Sequence, residues 1–415
     1  MTDILEPPAK TTRGPTRRFE QRKTAIVASA VEVLNRKGVR GMTLGEVAAS
    51  LNLVPTGVIY YFKNKEELAA ACFLKGVEGF SQFLVAGEAG TDVRDRLTRF
   101  FDAYLDYHRR MALAEVEPLT TFNDVRALNS PPVNDAYVAM FRRARGLLDG
   151  PETASLTRLE LNARAHMLLS EIFWAPVWLH RHDPEDYGRV TQRLLSITAD
   201  GLAAAGAVWD PRPLPGLIPE PPEGGEISSE LFLRAATELI NEEGYLGASV
   251  EKISARLNVT KGAFYHHNET KDELVEACFE RTIEVMRRAI RQAEAVTTDG
   301  LQTLATVATA LVEYQMSGNA PLLRTSALTS APESIQPKLV AKFDRISDRF
   351  ASLISDGIAD GSMRPIDTNI GAQVITAAIN AAAELRHWAA AVTPGQAVNL
   401  YVRPLFEGLL SPPVR

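Results

Sequence analysis

The stretch LNLVPTGVIYYFKNKEELAAACF, residues 51–73, returns later in the chain as LNVTKGAFYHHNETKDELVEACF, residues 257–279. The two lie 206 positions apart, and the register holds beyond them: Ala30 pairs with Ala236, Asn35 with Asn241, Gly38 with Gly244 and Lys65 with Lys271. Such matches are strung over some fifty residues without a gap, and the shift is close to half of the 415 residues. Two tandem copies of one ~200-residue unit are the simplest account.

The copies are joined by WDPRPLPGLIPEPPEGGEISS, residues 209–229, whose six prolines forbid continuous helix and favour extended chain. Fully extended, such a linker reaches roughly 60 Å. Elsewhere apolar residues recur at helical spacing, as in Ala25-Ala28-Val33 and Ala235-Leu239-Ile240, and alternating β-branched runs are missing. The expected fold class is therefore all-α, a tandem duplication in which each unit has a small three-helix head followed by a larger helical domain. The expected divisions are a basic flexible arm (1–20), head 1 (21–74), helical domain 1 (75–208), a proline-rich linker (209–227), head 2 (228–280) and helical domain 2 (281–415).

Each head has the same punctuation. A first helix, 22–36 or 229–242, stops at Gly38 or Gly244, where glycine supplies the left-handed residue that ends a helix. A second opens at Thr43 with Glu46 three residues on, or at Ser249, and ends at Asn52 or Asn258, asparagine being tolerant of the left-handed turn. A short third helix covers 55–61 or 261–267, and a fourth starts from Asn64 or Thr270 with a glutamate three residues later. Two short helices joined by a tight turn form a helix-turn-helix, whose second helix enters the major groove of DNA.

This layout resembles the N-terminal DNA-binding domain of the TetR (tetracycline repressor) family. The residues that carry the resemblance are T-L-x-E-V-A-x-x-L-x-L at 43–53, Y-Y-F-K-N-K-E-E-L at 60–68 and K-G-A-F-Y-H-H-x-E-T-K-D-E-L at 261–274. The resemblance implies a transcriptional regulator, commonly a repressor, whose C-terminal helical domain binds a small-molecule effector and mediates pairing. It implies that Thr43 and Lys65 contact phosphates, that Pro55, Thr56 and Gly57 face base edges, and that Tyr60 and Tyr61 hold the DNA backbone. In repeat 2 the matching residues are Ser249, Thr260, Lys261, Gly262, Tyr265, His266 and Lys271. The partner would be double-stranded operator DNA, and the two repeats would pair within one chain as a pseudo-dimer, with a homodimer of chains as the rival arrangement.

Local charge separates the heads. Residues 10–74 hold eleven Lys and Arg against five Glu, a balance of +6, whereas residues 228–280 hold five against ten acids, a balance of −5. Phosphate neutralisation dominates non-specific DNA affinity, so head 1 is expected to carry most of it. The basic tail KTTRGPTRRFEQRK, including Arg17 and Arg18, is suited to lie along the backbone or enter the minor groove. Phe62, which matches a family aromatic that packs the fourth helix, is replaced in repeat 2 by Asn268.

Longer helices are expected at 92–113, 131–148, 152–180 and 184–204 in repeat 1, and at 301–316, 333–357, 368–391 and 394–410 in repeat 2. Candidate effector-binding residues are Tyr104, Tyr107, His108, Phe122, Trp174 and Trp178 in the first, and Tyr314, Met316, His387 and Trp388 in the second. Aromatics at helical spacing also serve as ordinary core, so each carries both readings. Cys72 and Cys278 occupy equivalent apolar faces and suit buried packing, with a reducing cytoplasm as the natural compartment. No uncharged apolar run reaches the roughly 18 residues of a membrane span, and the seven histidines show no metal-ligand spacing. With no phosphate loop, nucleophile elbow or metal motif, neither enzymatic activity nor a cofactor is expected. The competing reading is a ligand-sensing or protein-interaction module whose second head no longer binds DNA.

Overall fold

The computed structural model describes residues 17–122, 125–218, 229–260, 262, 270–318, 321–324, 327, 334–390 and 392–412. Among them there is helix, turn and one isolated β-bridge, Ala203 with Met363, and no strand. Head 1 comprises α1 (Arg17–Gly41), α2 (Leu44–Ser50) and α3 (Pro55–Ile59), and α4 (Lys65–Glu88) runs from it into the larger domain. Repeat 1 continues with α5 (Val93–Ala112), α6 (Pro131–Gly146), α7 (Arg158–Leu179) and α8 (Tyr187–Asp200). Repeat 2 has α9 (Ser229–Gly247), α10 (Val250–Arg256), α11 (Lys271–Glu294), α12 (Gly300–Met316), α13 (Gln336–Asp360) and α14 (Thr368–Ala381). A 3₁₀ turn over Ala382–Glu384 leads into α15 (Leu385–Trp388), and α16 (Pro394–Ala397) passes through a π turn into α17 (Arg403–Glu407).

The shared punctuation has shared physical causes. Gly38 and Gly244 sit at φ 68° and 74°, Asn52 and Asn258 at φ 54° and 56°, all in the region that L side chains with a Cβ avoid. The Thr43, Asn64, Ser249 and Thr270 side chains each accept the amide three residues on. At Thr270 the box closes, Glu273 accepting from the Thr270 amide. At Thr43 it does not: Glu46 takes the Thr43 hydroxyl and an ion pair with Lys37 instead. Cys72 and Cys278 are fully buried and lie over the Val27 and Leu233 carbonyls, one repeat apart, and burial pushes both thiols up to about 12.

Several boundaries depart from expectation. α1 begins at Arg17, so the last four residues of the expected flexible arm are helical. α4 and α11, each 24 residues, cross from head to larger domain in one piece. By length and composition α4 is apolar enough to cross a membrane, yet here its Leu68, Phe73, Phe80 and Leu84 are packed in core. The expected helix at 152–180 is split, because Thr157 caps a fresh start with Glu160 and leaves only a short 3₁₀ turn before it. Residues 209–218 are free of helix, as proline dictates, but this half of the linker does not reach outward. The Trp209 ring meets Phe406, Leu217 is buried, and the Arg212 amide donates to Thr306.

α7 and α8 of repeat 1 pack against α14 of repeat 2, with α17 closing over α8. The amides of Leu202 and Ala203 donate to the Phe406 carbonyl at 2.9 and 2.8 Å, and the Leu409 amide donates to Thr198 at 2.9 Å. A Cβ on Gly201 would stand 2.2 Å from the Phe406 oxygen, so only glycine permits this approach between the ends of the two repeats. Arg164 is buried and donates to the Leu409 and Ser411 carbonyls, and Asn162 donates to Trp388 O at 2.8 Å. One hydrophobic core runs through both larger domains and head 1, while head 2 keeps a separate smaller core around Phe232 and Phe279. The C-terminal ends of α1 and α9 also touch, Arg40 lying beside Gly247.

Candidate functional site

Head 1 presents its helix-turn-helix with Pro55 and Thr56 exposed, Gly57 half-buried and Tyr60 74% exposed. Val58 faces inward and is fully buried, fixing α3 against the core so that its other side faces out. A Cβ on Gly57 would meet only Leu53, at 3.7 Å, an ordinary contact. The interior of the head therefore does not demand glycine there, which leaves room for a close partner outside. Phe19 packs on both tyrosines, 6.0 Å from the Tyr60 ring and 4.8 Å from that of Tyr61. That cluster places the exposed Arg17 and Arg18, at the start of α1, next to the end of the helix-turn-helix.

The two residues assigned to phosphate already have partners. Thr43 is the cap of α2, and Lys65 Nζ donates to the carbonyls of Val39 and Arg40 at 3.3 and 2.9 Å. Lys271 repeats the arrangement on the Tyr245 carbonyl and stands 4.2 Å from the Tyr245 ring centre. Each lysine thus satisfies the open carbonyls of the α1 or α9 corner, a role shared by twins.

In head 2, Ser249 caps α10, Gly262 is exposed and Thr260 is exposed just before it. Lys261, Tyr265, His266 and Asn268 lie outside the described residues. Three described cations of this head are drawn into its own acids. Lys252 pairs with Glu243, Arg256 with Glu242 at 2.8 Å and with Glu238 at 3.7 Å, and Arg234 with Glu230 at 3.0 Å. Carboxylates nearby raise the Arg256 guanidinium further, the Glu242 hydrogen bond first.

A cavity of about 590 Å³ lies between the repeats. Phe122, Trp174, Trp178, His387 and Trp388, expected in two separate pockets, all line this one. The other five candidates do not. Tyr104 and His108 are packed among Phe80, Phe83 and Tyr107, and burial drops His108 to about 4. Tyr107 donates to the Glu117 carbonyl, Tyr314 accepts from Arg281 at 2.9 Å, and Met316 is buried in repeat 2. Unrecognised in the sequence were Arg126, His166, Arg324 and Glu384. Glu384 accepts from Arg126 at 3.0 Å and Arg324 at 2.7 Å, and although burial opposes it, the arginines hold its carboxyl below the ordinary range. His166 is buried against the Ala381 carbonyl at 2.9 Å, and desolvation lowers it to about 4, so it is neutral. Among the described residues no group of three metal-binding side chains occurs.

The sequence profile described as "Bacterial regulatory proteins, tetR family" matches residues 26–72 and again 232–278, the same shift of 206. The chain is 32% identical over 92 residues to the Transposon Tn10 TetC protein of Escherichia coli, covering 22% of this chain and 46% of that one. It is 30% identical over 125 residues to the HTH-type transcriptional activator FasR of Mycolicibacterium smegmatis, covering 28% and 57%. The chain thus spans about half the length of these curated relatives. Among solved structures, apo AibR aligns with 44% of this chain and 99% of its own, at 19% identity and a TM-score of 0.37.

Proposed function

Because this chain belongs to the tetR family of bacterial regulatory proteins and carries two of that family's heads in tandem, we propose that it regulates transcription by binding double-stranded operator DNA. The proposed mode is repression relieved by a small-molecule effector, in the cytoplasm where the DNA lies. The observation that carries the reading is the outer face of head 1: exposed Thr56 and Tyr60, a glycine the interior does not require, and Arg17 and Arg18 docked beside them through Phe19. Pro55, Thr56 and Gly57 would read base edges, and Tyr60, Tyr61, Lys65 and the α1 arginines would hold phosphates. In head 2 the corresponding contacts fall to Ser249, Thr260, Lys261, Gly262, Tyr265, His266 and Lys271.

The hydrogen bonds and shared core between α7, α8, α14 and the C-terminal segment support the two repeats acting as a pseudo-dimer within one chain. Such a molecule would meet an operator with two unequal halves. The weak partner is head 2, where Arg234, Lys252 and Arg256 are committed to internal carboxylates and Lys271 to the Tyr245 carbonyl. That commitment also favours a second reading, in which head 2 senses a ligand or a protein and no longer grips DNA.

The test is an electrophoretic shift of duplex DNA flanking the protein's own gene. Binding should weaken steeply between about 50 and 200 mM salt. An Arg17→Ala/Arg18→Ala variant should show a slope shallower by about two, one per lost phosphate contact. Absence of any shift at the low-salt end would sink the reading.

A further inference from the structure

We propose that the inter-repeat cavity is a single site for a small organic acid with a flat apolar body, and that its occupancy is transmitted to head 2 and not to head 1. The proposal rests on the effector-binding reading above and gives that effector a chemical class and a direction of action.

The shape and lining define the body. About 590 Å³ falls within the range of sites that enclose a whole small molecule. The walls are aromatic, with Phe122, Tyr137 and Phe173 from repeat 1 facing Trp388 from repeat 2. Trp388 is itself immobilised by stacking on Phe141, ring centres 3.6 Å apart and 7° from parallel. Rigid aromatic walls select flat apolar groups.

The charges define the head group. Arg126 and Arg324 come from different repeats and converge on the one carboxylate of Glu384, which His387 Nε2 also approaches at 3.6 Å. Two guanidiniums share a single negative charge, so the cluster carries a surplus positive charge. Arg324 Nε, moreover, is buried without a hydrogen-bond partner among the described residues. A ligand carboxylate would supply the missing charge and acceptor, and guanidinium is suited to bind it with two parallel N–H donors. The other charges on the wall are internally balanced, Arg181 by Asp344 and Glu242 by Arg256.

The coupling follows from which head forms the wall. Asn241 and Glu242 of α9 line the cavity, whereas none of the described residues of head 1 does. Asn241 clamps the backbone beside Arg324, donating to Leu322 O and accepting the Arg324 amide, each at 2.9 Å. Glu242 in turn holds Arg256, the last residue of α10 in the helix-turn-helix. In repeat 1 the twin Asn35 makes the same clamp, on Leu119 O at 2.8 Å and the Thr121 amide at 2.9 Å. There the clamped residue is Thr121, whose hydroxyl turns back to Asn35, and the segment meets the cavity one residue later through Phe122, an apolar wall with no charge for a ligand to draw. Drawing Arg324 from Glu384 towards a ligand therefore acts on a backbone segment that head 2 grips.

The experiment uses the full chain, with 2-naphthoate as probe and 2-naphthalenemethanol as its uncharged match. Binding is read from the fluorescence of the cavity tryptophans, and coupling from amide exchange of α1 and α9. The acid should bind at least tenfold more tightly than the alcohol. Arg324→Gln should weaken the acid tenfold or more and Glu384→Gln should tighten it, opposite signs that misfolding cannot produce. Saturating acid should change exchange in α9 and leave α1 unchanged, and Asn241→Ala should abolish that change while acid still binds. Equal affinity for acid and alcohol, both variants weakening alike, or equal exchange changes in the two heads would overturn the proposal. Because none of these readouts uses DNA, failure of the DNA-binding reading would show separately, in the electrophoretic shift.

Discussion

Phe141 on α6 and Trp388 on α15 stack face to face across the boundary between the repeats, 3.6 Å apart at the ring centres. Phe141 is almost wholly buried, and the Trp388 carbonyl accepts from Asn162 of repeat 1 at 2.8 Å. Truncating Phe141 to alanine should cost about 3–5 kcal/mol of stability. Combined with Trp388→Ala, the double variant should fall short of additivity by about 0.5–1.5 kcal/mol. Denaturation of the four proteins gives the cycle, and strict additivity would mean the rings do not meet in solution.

Gly57→Ala separates folding from recognition. The added methyl meets Leu53 only at ordinary contact distance, and alanine gains about 0.5–1 kcal/mol over glycine in a helix. The variant should therefore melt no lower than the parent while losing DNA affinity by about tenfold, or about 1.4 kcal/mol. Unchanged affinity would remove Gly57 from the DNA face.

Lys65 carries two assignments at once. Its ammonium has three donors, and the carbonyls of Val39 and Arg40 take two. Lys65→Gln should lower stability by about 1 kcal/mol through the loosened α1 corner. If the third donor reaches a phosphate, the salt slope of DNA binding should also fall by about one. Loss of stability with an unchanged slope would confine the lysine to the corner.

Glu171 gives the fold a pH dependence of defined sign. It is buried on α7 beside Thr198, one oxygen has no partner, and desolvation raises its carboxyl from 4.5 to about 8. The unfolded chain releases this proton near 4.5 and the folded chain near 8. The folded state thus holds more protons in between, and stability falls as pH rises through that window. Glu171→Gln should flatten the fall and raise stability at pH 8 by a few kcal/mol, since each tenfold difference in proton affinity between the two states is worth about 1.4 kcal/mol. Parallel melting profiles for the two proteins at pH 5 to 8 would contradict this.

What the sequence made legible was local backbone chemistry. Gly38, Asn52 and their twins could be placed because only a few residue types tolerate a left-handed backbone, and Asn64 and Thr270 because caps are short-range. The cavity was not legible in the same way. Arg126 and Glu384 lie more than two hundred positions apart, and nothing in helical spacing says that they share a wall. Tyr104 and His108 looked as suitable as Trp174 for a ligand, and packing against Phe80 and Phe83 decided otherwise. The linker shows the same limit: its prolines exclude helix, but Trp209 and Leu217 dock where repeat 2 offers an apolar surface.

The mass of the protein in solution, measured by light scattering with and without operator DNA, tests the pairing of the repeats most directly. A self-paired chain predicts 45.4 kDa alone and one chain per DNA duplex when bound. A free mass of twice that value, with two chains on each duplex, would mean that the repeats find their partners in a second chain instead.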